Sequence, residues 1–148
     1  MIKKMVLLTL FSIPAVADDV GFNQGNHIVV HLASRHSSDK EFNEANPGLS
    51  VRHGIDSLGV FVVGGVYRNS FENTSVYAGV GKTFFSVGPV AFTLISGVAT
   101  GYIERLTPAL IPEVSFHYKH ISFLVGYIPL YKNAITTPVF TFSLSACF

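Results

Sequence analysis

Alternation dominates the end of the chain. Phe140, Phe142, Leu144, Ala146 and Phe148 share one parity, while Thr141, Ser143, Ser145 and Cys147 share the other. A β-strand turns successive side chains to opposite faces, so this segment has one apolar and one small, polar face. The stretch 74–85 repeats the pattern, with Ser75, Tyr77, Gly79, Gly81 and Thr83 against Val76, Ala78, Val80 and Phe84. Turn residues cut the remainder into pieces of similar length. The pattern predicts eight strands, near 27–34, 48–55, 58–68, 74–85, 89–101, 108–118, 120–128 and 137–148. Short connections at 56–57, 86–88 and around Lys119 alternate with long ones at 35–47, 69–73, 102–107 and 129–136. An even strand number returns both termini to one end and gathers the long connections at the other.

Composition decides which way the apolar faces point. Hydrophobic residues make up 49% of the chain and charged residues 13%, about half the charge of an average soluble domain. Met1 to Lys4 is basic, Met5 to Ile13 is apolar, and Ala15-Val16-Ala17 precedes Asp18. That order reads as a cleaved secretory signal peptide over 1–17, leaving one domain over 18–148. Beyond it the apolar stretches Leu58–Tyr67 and Val87–Ala99 are short and interrupted by Gly, Ser, Thr or Pro. Only helices and closed barrels satisfy their backbone inside a bilayer. The expectation is therefore an all-β fold, an eight-stranded antiparallel transmembrane barrel in the outer membrane, with its long loops at the extracellular face. A secreted β-sandwich is the competing fold. A single cysteine excludes a disulfide framework and a multi-cysteine zinc site. The balanced charge does not suit a nucleic-acid binder. The expected partners are membrane lipids, with no cofactor or metal, and the barrel is expected to be a monomer.

Candidate chemistry collects in the long loops. The first holds Arg35, His36 and the run Phe42-Asn43-Glu44, and the second holds Asn69, Ser70, Phe71 and Glu72. In an eight-stranded topology both lie at the same rim, so His36 and Ser70 meet there despite their separation in sequence. A serine becomes nucleophilic only beside a base, and a histidine base needs a further group to fix its tautomer. The same residue types also cap loops by hydrogen bonding, so the residues alone leave both readings open.

The order of short motifs resembles the outer-membrane lipid A palmitoyltransferases (the PagP-like family). His36 precedes Phe42-Asn43-Glu44 and Pro47-Gly48; Asn69-Ser70 is followed by Tyr77-Ala78-Gly79; then come Pro108 and Pro112, Tyr127-Ile128-Pro129 and the terminal Phe148. The resemblance implies an acyltransferase that moves a palmitoyl chain from a phospholipid donor to lipid A. Its catalytic residues would be His36 (His31 as the alternative histidine), Asn69 and Ser70. Its acyl chain would occupy a lumen bounded by Tyr77, Gly79 and Gly81. The family's aspartate is replaced by Asn69, and an amide can orient an imidazole but not share its charge. The family's amphipathic N-terminal helix has no counterpart in the short, glycine-broken stretch 18–26. A non-catalytic outer-membrane barrel with a structural or surface-interaction role is the alternative function.

Proline removes a ladder donor. Pro108 and Pro112 flank Leu110 and fit either a local opening of the sixth strand, which the resemblance would make a lateral door, or simply an edge or rim segment; Pro138 reads as the start of a rim segment. His27 and His31 share a face but are too far apart along a strand to hold one metal. His53 reads as a lumen or rim residue, His117 and His120 as solvated turn residues, Cys147 as lumen packing, and Lys82, Lys119 and Lys132 as rim anchors.

Overall fold

The computed structural model describes residues 25–38, 41–55, 58–102, 105–129 and 137–148. The stretch 1–17 read as a signal peptide, the stretch 18–24 and Lys132 lie outside the described residues. Eight strands run in sequence order: β1 (Asn26–His36), β2 (Ala45–Gly54), β3 (Val60–Arg68), β4 (Thr74–Val87), β5 (Val90–Ala99), β6 (Thr107–Tyr118), β7 (Ile121–Ile128) and β8 (Val139–Cys147). Each pairs antiparallel with its neighbours, and β1 pairs with β8, so the sheet is an all-β closed barrel. The four long connections leave from one end and the two termini from the other.

The alternation seen in the sequence sorts the side chains in space. On β8, Ser143 and Ser145 are buried in the lumen while Phe140 and Leu144 stand outside; on β4, Ser75 and Gly81 are buried while Val76 and Val80 are exposed. The exterior is a continuous apolar band that includes Ile28, Val30, Val51, Val62, Val66, Val98, Leu110 and Phe123. The interior is mixed. Val29, Phe61, Val63, Ile95 and Leu124 are buried beside Ser50, Ser75, Thr93, Ser115 and the charged pair Arg52 and Glu113.

Three departures from strict alternation matter. First, the register of β1 shifts between His31 and Ala33 against both neighbours. Bulges insert an extra residue and so reset which face follows. His27, Val29 and His31 face inward before the bulge, and Ser34 is buried after it. Second, β2 starts at Ala45 rather than near 48. Asn46 is paid for inside the barrel: its amide accepts from Ser34 Oγ at 2.6 Å and donates to the Arg68 carbonyl at 3.0 Å. Third, β6 and β7 pair only from Glu113↔Gly126 to Tyr118↔Ile121. Thr107–Pro112 pair with β5 through Ala99–Leu94 but have no β7 partner among the described residues. The β6–β7 ladder thus covers the half toward the termini; toward the long loops, where Pro108 and Pro112 lie, no β6–β7 pairing occurs among the described residues. Pro138 immediately precedes β8, and its carbonyl accepts from Ser37 N at 3.1 Å, as befits a rim residue.

Candidate functional site

The lumen holds a cavity of about 150 Å³ in the half nearest the long loops. Its walls are largely apolar, with Val63, Ile95, Ala109 and Ile111 among them, and its polar residues include His31, Arg52, Tyr77, Glu113 and Ser143. Ala109, Ile111 and Ile128 line it from the stretches of β6 and β7 that lie beyond their shared ladder.

Toward the termini the cavity ends on a polar floor. Arg52 of β2 and Glu113 of β6 meet across the barrel in a bidentate pair, Nη1 to Oε1 at 2.8 Å and Nη2 to Oε2 at 2.7 Å. Both side chains are less than a tenth exposed, so each charge depends on the other for compensation. The guanidinium also lies 5.2 Å from the Phe61 ring centroid. His31 sits beside this pair. Its Nδ1 is 3.0 Å from Ser143 Oγ, and its Nε2 is 2.9 Å from the Tyr77 hydroxyl and 3.2 Å from Ser50 Oγ.

At the mouth, three loops are stitched together by aromatic contacts. The His36 ring stacks on Phe42 at a centroid distance of 4.3 Å; Phe42 meets Phe71 edge-on at 6.0 Å, and Phe71 meets Tyr102 likewise. The Tyr102 and Tyr67 hydroxyls are 2.6 Å apart. Burial pushes the Tyr102 hydroxyl above its ordinary range, so it stays a neutral donor and acceptor. Ser70 lines the cavity at this end, and its carbonyl accepts from Asn43 N at 3.2 Å.

The sequence-based site residues distribute as follows. His36 and Ser70 both reach the loop end of the barrel, linked through Phe42, Phe71 and Asn43, but no hydrogen bond joins them among the described residues. His36 Nδ1 is buried and has no hydrogen-bond partner there. Asn69 is fully buried, and its amide is spent on the turn. Oδ1 accepts from Phe71 N at 2.9 Å and Asn73 N at 3.0 Å, while Nδ2 donates to Ser75 Oγ at 3.0 Å and the Gly101 carbonyl at 2.8 Å. Two acceptor and two donor positions are all an amide has. Asn69 therefore shapes the loop, and its amide is not placed to orient the His36 imidazole.

Tyr77 and Gly79 line the cavity as expected, but the glycines do so for another reason than vacant space. A Cβ on Gly79 would stand 2.6 Å from the Ser96 carbonyl oxygen, so the close approach of β4 and β5 requires glycine there. A Cβ on Gly81 would collide with the Phe61 ring; that ring fills the space Gly81 vacates. Gly81 thus belongs to the packed lumen around Phe61 and not to an open acyl channel.

Of the two places open to His53 it takes the rim: it is exposed at the end that carries the termini, with Nδ1 2.7 Å from Asn26 Oδ1. One further expectation is corrected. His117 is not a solvated turn residue: its ring points inward, 2.9 Å from Ser115 Oγ and 2.8 Å from Ser122 Oγ. His120, Lys82 and Lys119 are exposed, and no group of histidine, cysteine or carboxylate residues suited to a metal occurs among the described residues.

The residues that the sequence reading passed over are Arg52, Glu113, Ser50 and Ser143. A signal was present: Arg52 and Glu113 are charged residues of the same parity as the small polar residues Ser50 and Ser115 of their strands. Neither a protein-family model nor a curated protein matches this chain.

Proposed function

We propose that this chain is an outer-membrane acyltransferase that takes an acyl chain from a phospholipid into its lumen and passes it to lipid A at the outer rim. The observation that carries the reading is the cavity: apolar-walled, confined to the loop half of the barrel, and lined by the stretch of β6 that has no β7 ladder among the described residues. A hydrocarbon chain gains by leaving polar surroundings for such walls, and a seam without ladder hydrogen bonds is where it would enter from the side. The apolar exterior supports a membrane setting, because open strand surfaces of this kind suit lipid rather than water.

In this reading His36 is the general base toward the acceptor hydroxyl, directly or through Ser70. The Ser70 hydroxyl otherwise stabilises charge on the ester carbonyl. Asn69 keeps the Ser70 turn in place. The secretory signal at 1–17 and the placing of the long loops at the cell surface belong to the same proposal. The test is mass spectrometry of lipid A from cells with and without the protein. A palmitoyl-sized mass increment dependent on the protein supports the reading; no increment from protein shown to be folded overturns it.

One observation favours a non-catalytic barrel on the same scaffold. The Asn69 amide has no valence left for His36, and His36 and Ser70 are joined by packing rather than by a hydrogen bond. A rim stabilised in this way also suits a purely structural or surface-interaction role.

A further inference from the structure

Inside the lumen, away from the rim, a serine and a histidine are already in hydrogen-bonding contact. His31 of β1 and Ser143 of β8 face each other in register, with Nδ1 3.0 Å from Oγ. The other ring nitrogen is held by Tyr77 of β4 at 2.9 Å and Ser50 of β2 at 3.2 Å. Partners on three different strands fix the plane of the ring. With Nε2–H donated to the Tyr77 oxygen, Nδ1 presents its lone pair to Ser143, which is the arrangement needed to take up the serine proton.

The surroundings match that chemistry. His31, Ser143, Tyr77 and Arg52 line one cavity. The Arg52 terminal nitrogens are engaged by Glu113, yet its Nε has no partner, although the side chain is only 8% exposed. A buried cationic N–H without a partner is a donor for developing negative charge. Val63, Ile95 and Ile111 offer apolar walls for an acyl chain.

We propose that Ser143 and His31 form a lumenal nucleophile–base pair that accepts an acyl group from carboxylic esters small enough to enter the cavity. Ser143 Oγ bonds to the ester carbonyl carbon while its proton passes to His31 Nδ1, and the carbonyl oxygen takes the negative charge within the field of Arg52. The carbon–oxygen bond to the alcohol then breaks, and the alcohol leaves with the proton from His31. Water repeats the same steps on the acyl-serine, releasing the carboxylic acid and restoring Ser143. This pair stands independently of the rim reading.

The test uses the full chain refolded in detergent, its fold verified by heat-modifiable gel mobility. An alkyl fluorophosphonate bonds to an activated serine with loss of fluoride, and peptide mass mapping locates the adduct. The expected result is one adduct on Ser143, absent in Ser143→Ala, at least tenfold slower to form in His31→Gln, and unaffected by Ser86→Ala at the exposed end of β4. p-Nitrophenyl butyrate hydrolysis should follow the same order. No adduct on folded protein, or an adduct elsewhere, Ser70 included, overturns the proposal. The mapping on the unsubstituted chain decides this even where a variant does not fold. Lipid A acylation, measured separately, reports on the rim alone.

Discussion

Arg52 and Glu113 reach across the barrel from β2 and β6 to form a bidentate ion pair at 2.7–2.8 Å, closing the cavity on its inner side. The pair ties two strands on opposite walls that share no ladder hydrogen bond. Removing one partner leaves a bare charge in a buried site, whereas replacing both with apolar residues of similar volume does not. Glu113→Ala should therefore destabilise the barrel by about 3–5 kcal/mol. The double change Arg52→Met with Glu113→Leu should restore most of that loss. Urea titration of the barrel folded in lipid vesicles measures both; equal destabilisation by the single and double changes would refute this account of the pair.

The rim carries a different kind of prediction. His36→Ala and Ser70→Ala should abolish acyl transfer to lipid A and leave heat-modifiable mobility unchanged, because neither side chain anchors a neighbouring strand by hydrogen bonding. Lipid A mass spectra of the two variants check this.

Asn69→Asp tests the turn. A carboxylate cannot donate, so the bond to the Gly101 carbonyl is lost and an anion faces a carbonyl oxygen, while Ser75 Oγ must reverse its role and donate. The change should cost about 1–3 kcal/mol and lower activity, although an aspartate is what the resembled family carries. A rise in acylation with Asn69→Asp would show that charge at this position matters more than the turn.

The cavity is best probed at Ala109. It lines the cavity from β6, opposite Gly97 of β5, so a larger side chain there fills cavity space. Ala109→Trp should shorten or exclude the transferred acyl chain, read from the lipid A mass increment. Gly79 is unsuitable for the purpose, since any side chain there collides with the β4–β5 ladder.

The exterior makes the membrane reading testable. Leu144, mid-strand on β8, is 41% exposed, whereas its neighbour Ser143 is buried. Leu144→Arg should cost about 2–4 kcal/mol if it lies near mid-bilayer, and Ser143→Ala much less. Unfolding titrations in vesicles compare them; equal costs would mean that β8 does not face lipid.

Much of this protein was legible in one dimension. The number of strands, their antiparallel order and the inward and outward sides of β4 and β8 all follow from period-two alternation broken by turn residues, because a pleated backbone leaves no other choice of face. The rim position of His36 and Ser70 follows from strand counting. The prolines of β6 lie in the stretch that has no β7 ladder among the described residues. What alternation does not contain is how far one strand slides against the next, or what meets across a closed barrel. The bulge after His31 depends on two neighbouring registers at once, and the early start of β2 depends on Ser34 and Arg68 satisfying Asn46. The Arg52–Glu113 pair, the contact of His31 with Ser143 and the Phe61 ring over Gly81 join strands far apart in the chain. Closure of the sheet brought them together, and only then did burial require each polar group to find its partner.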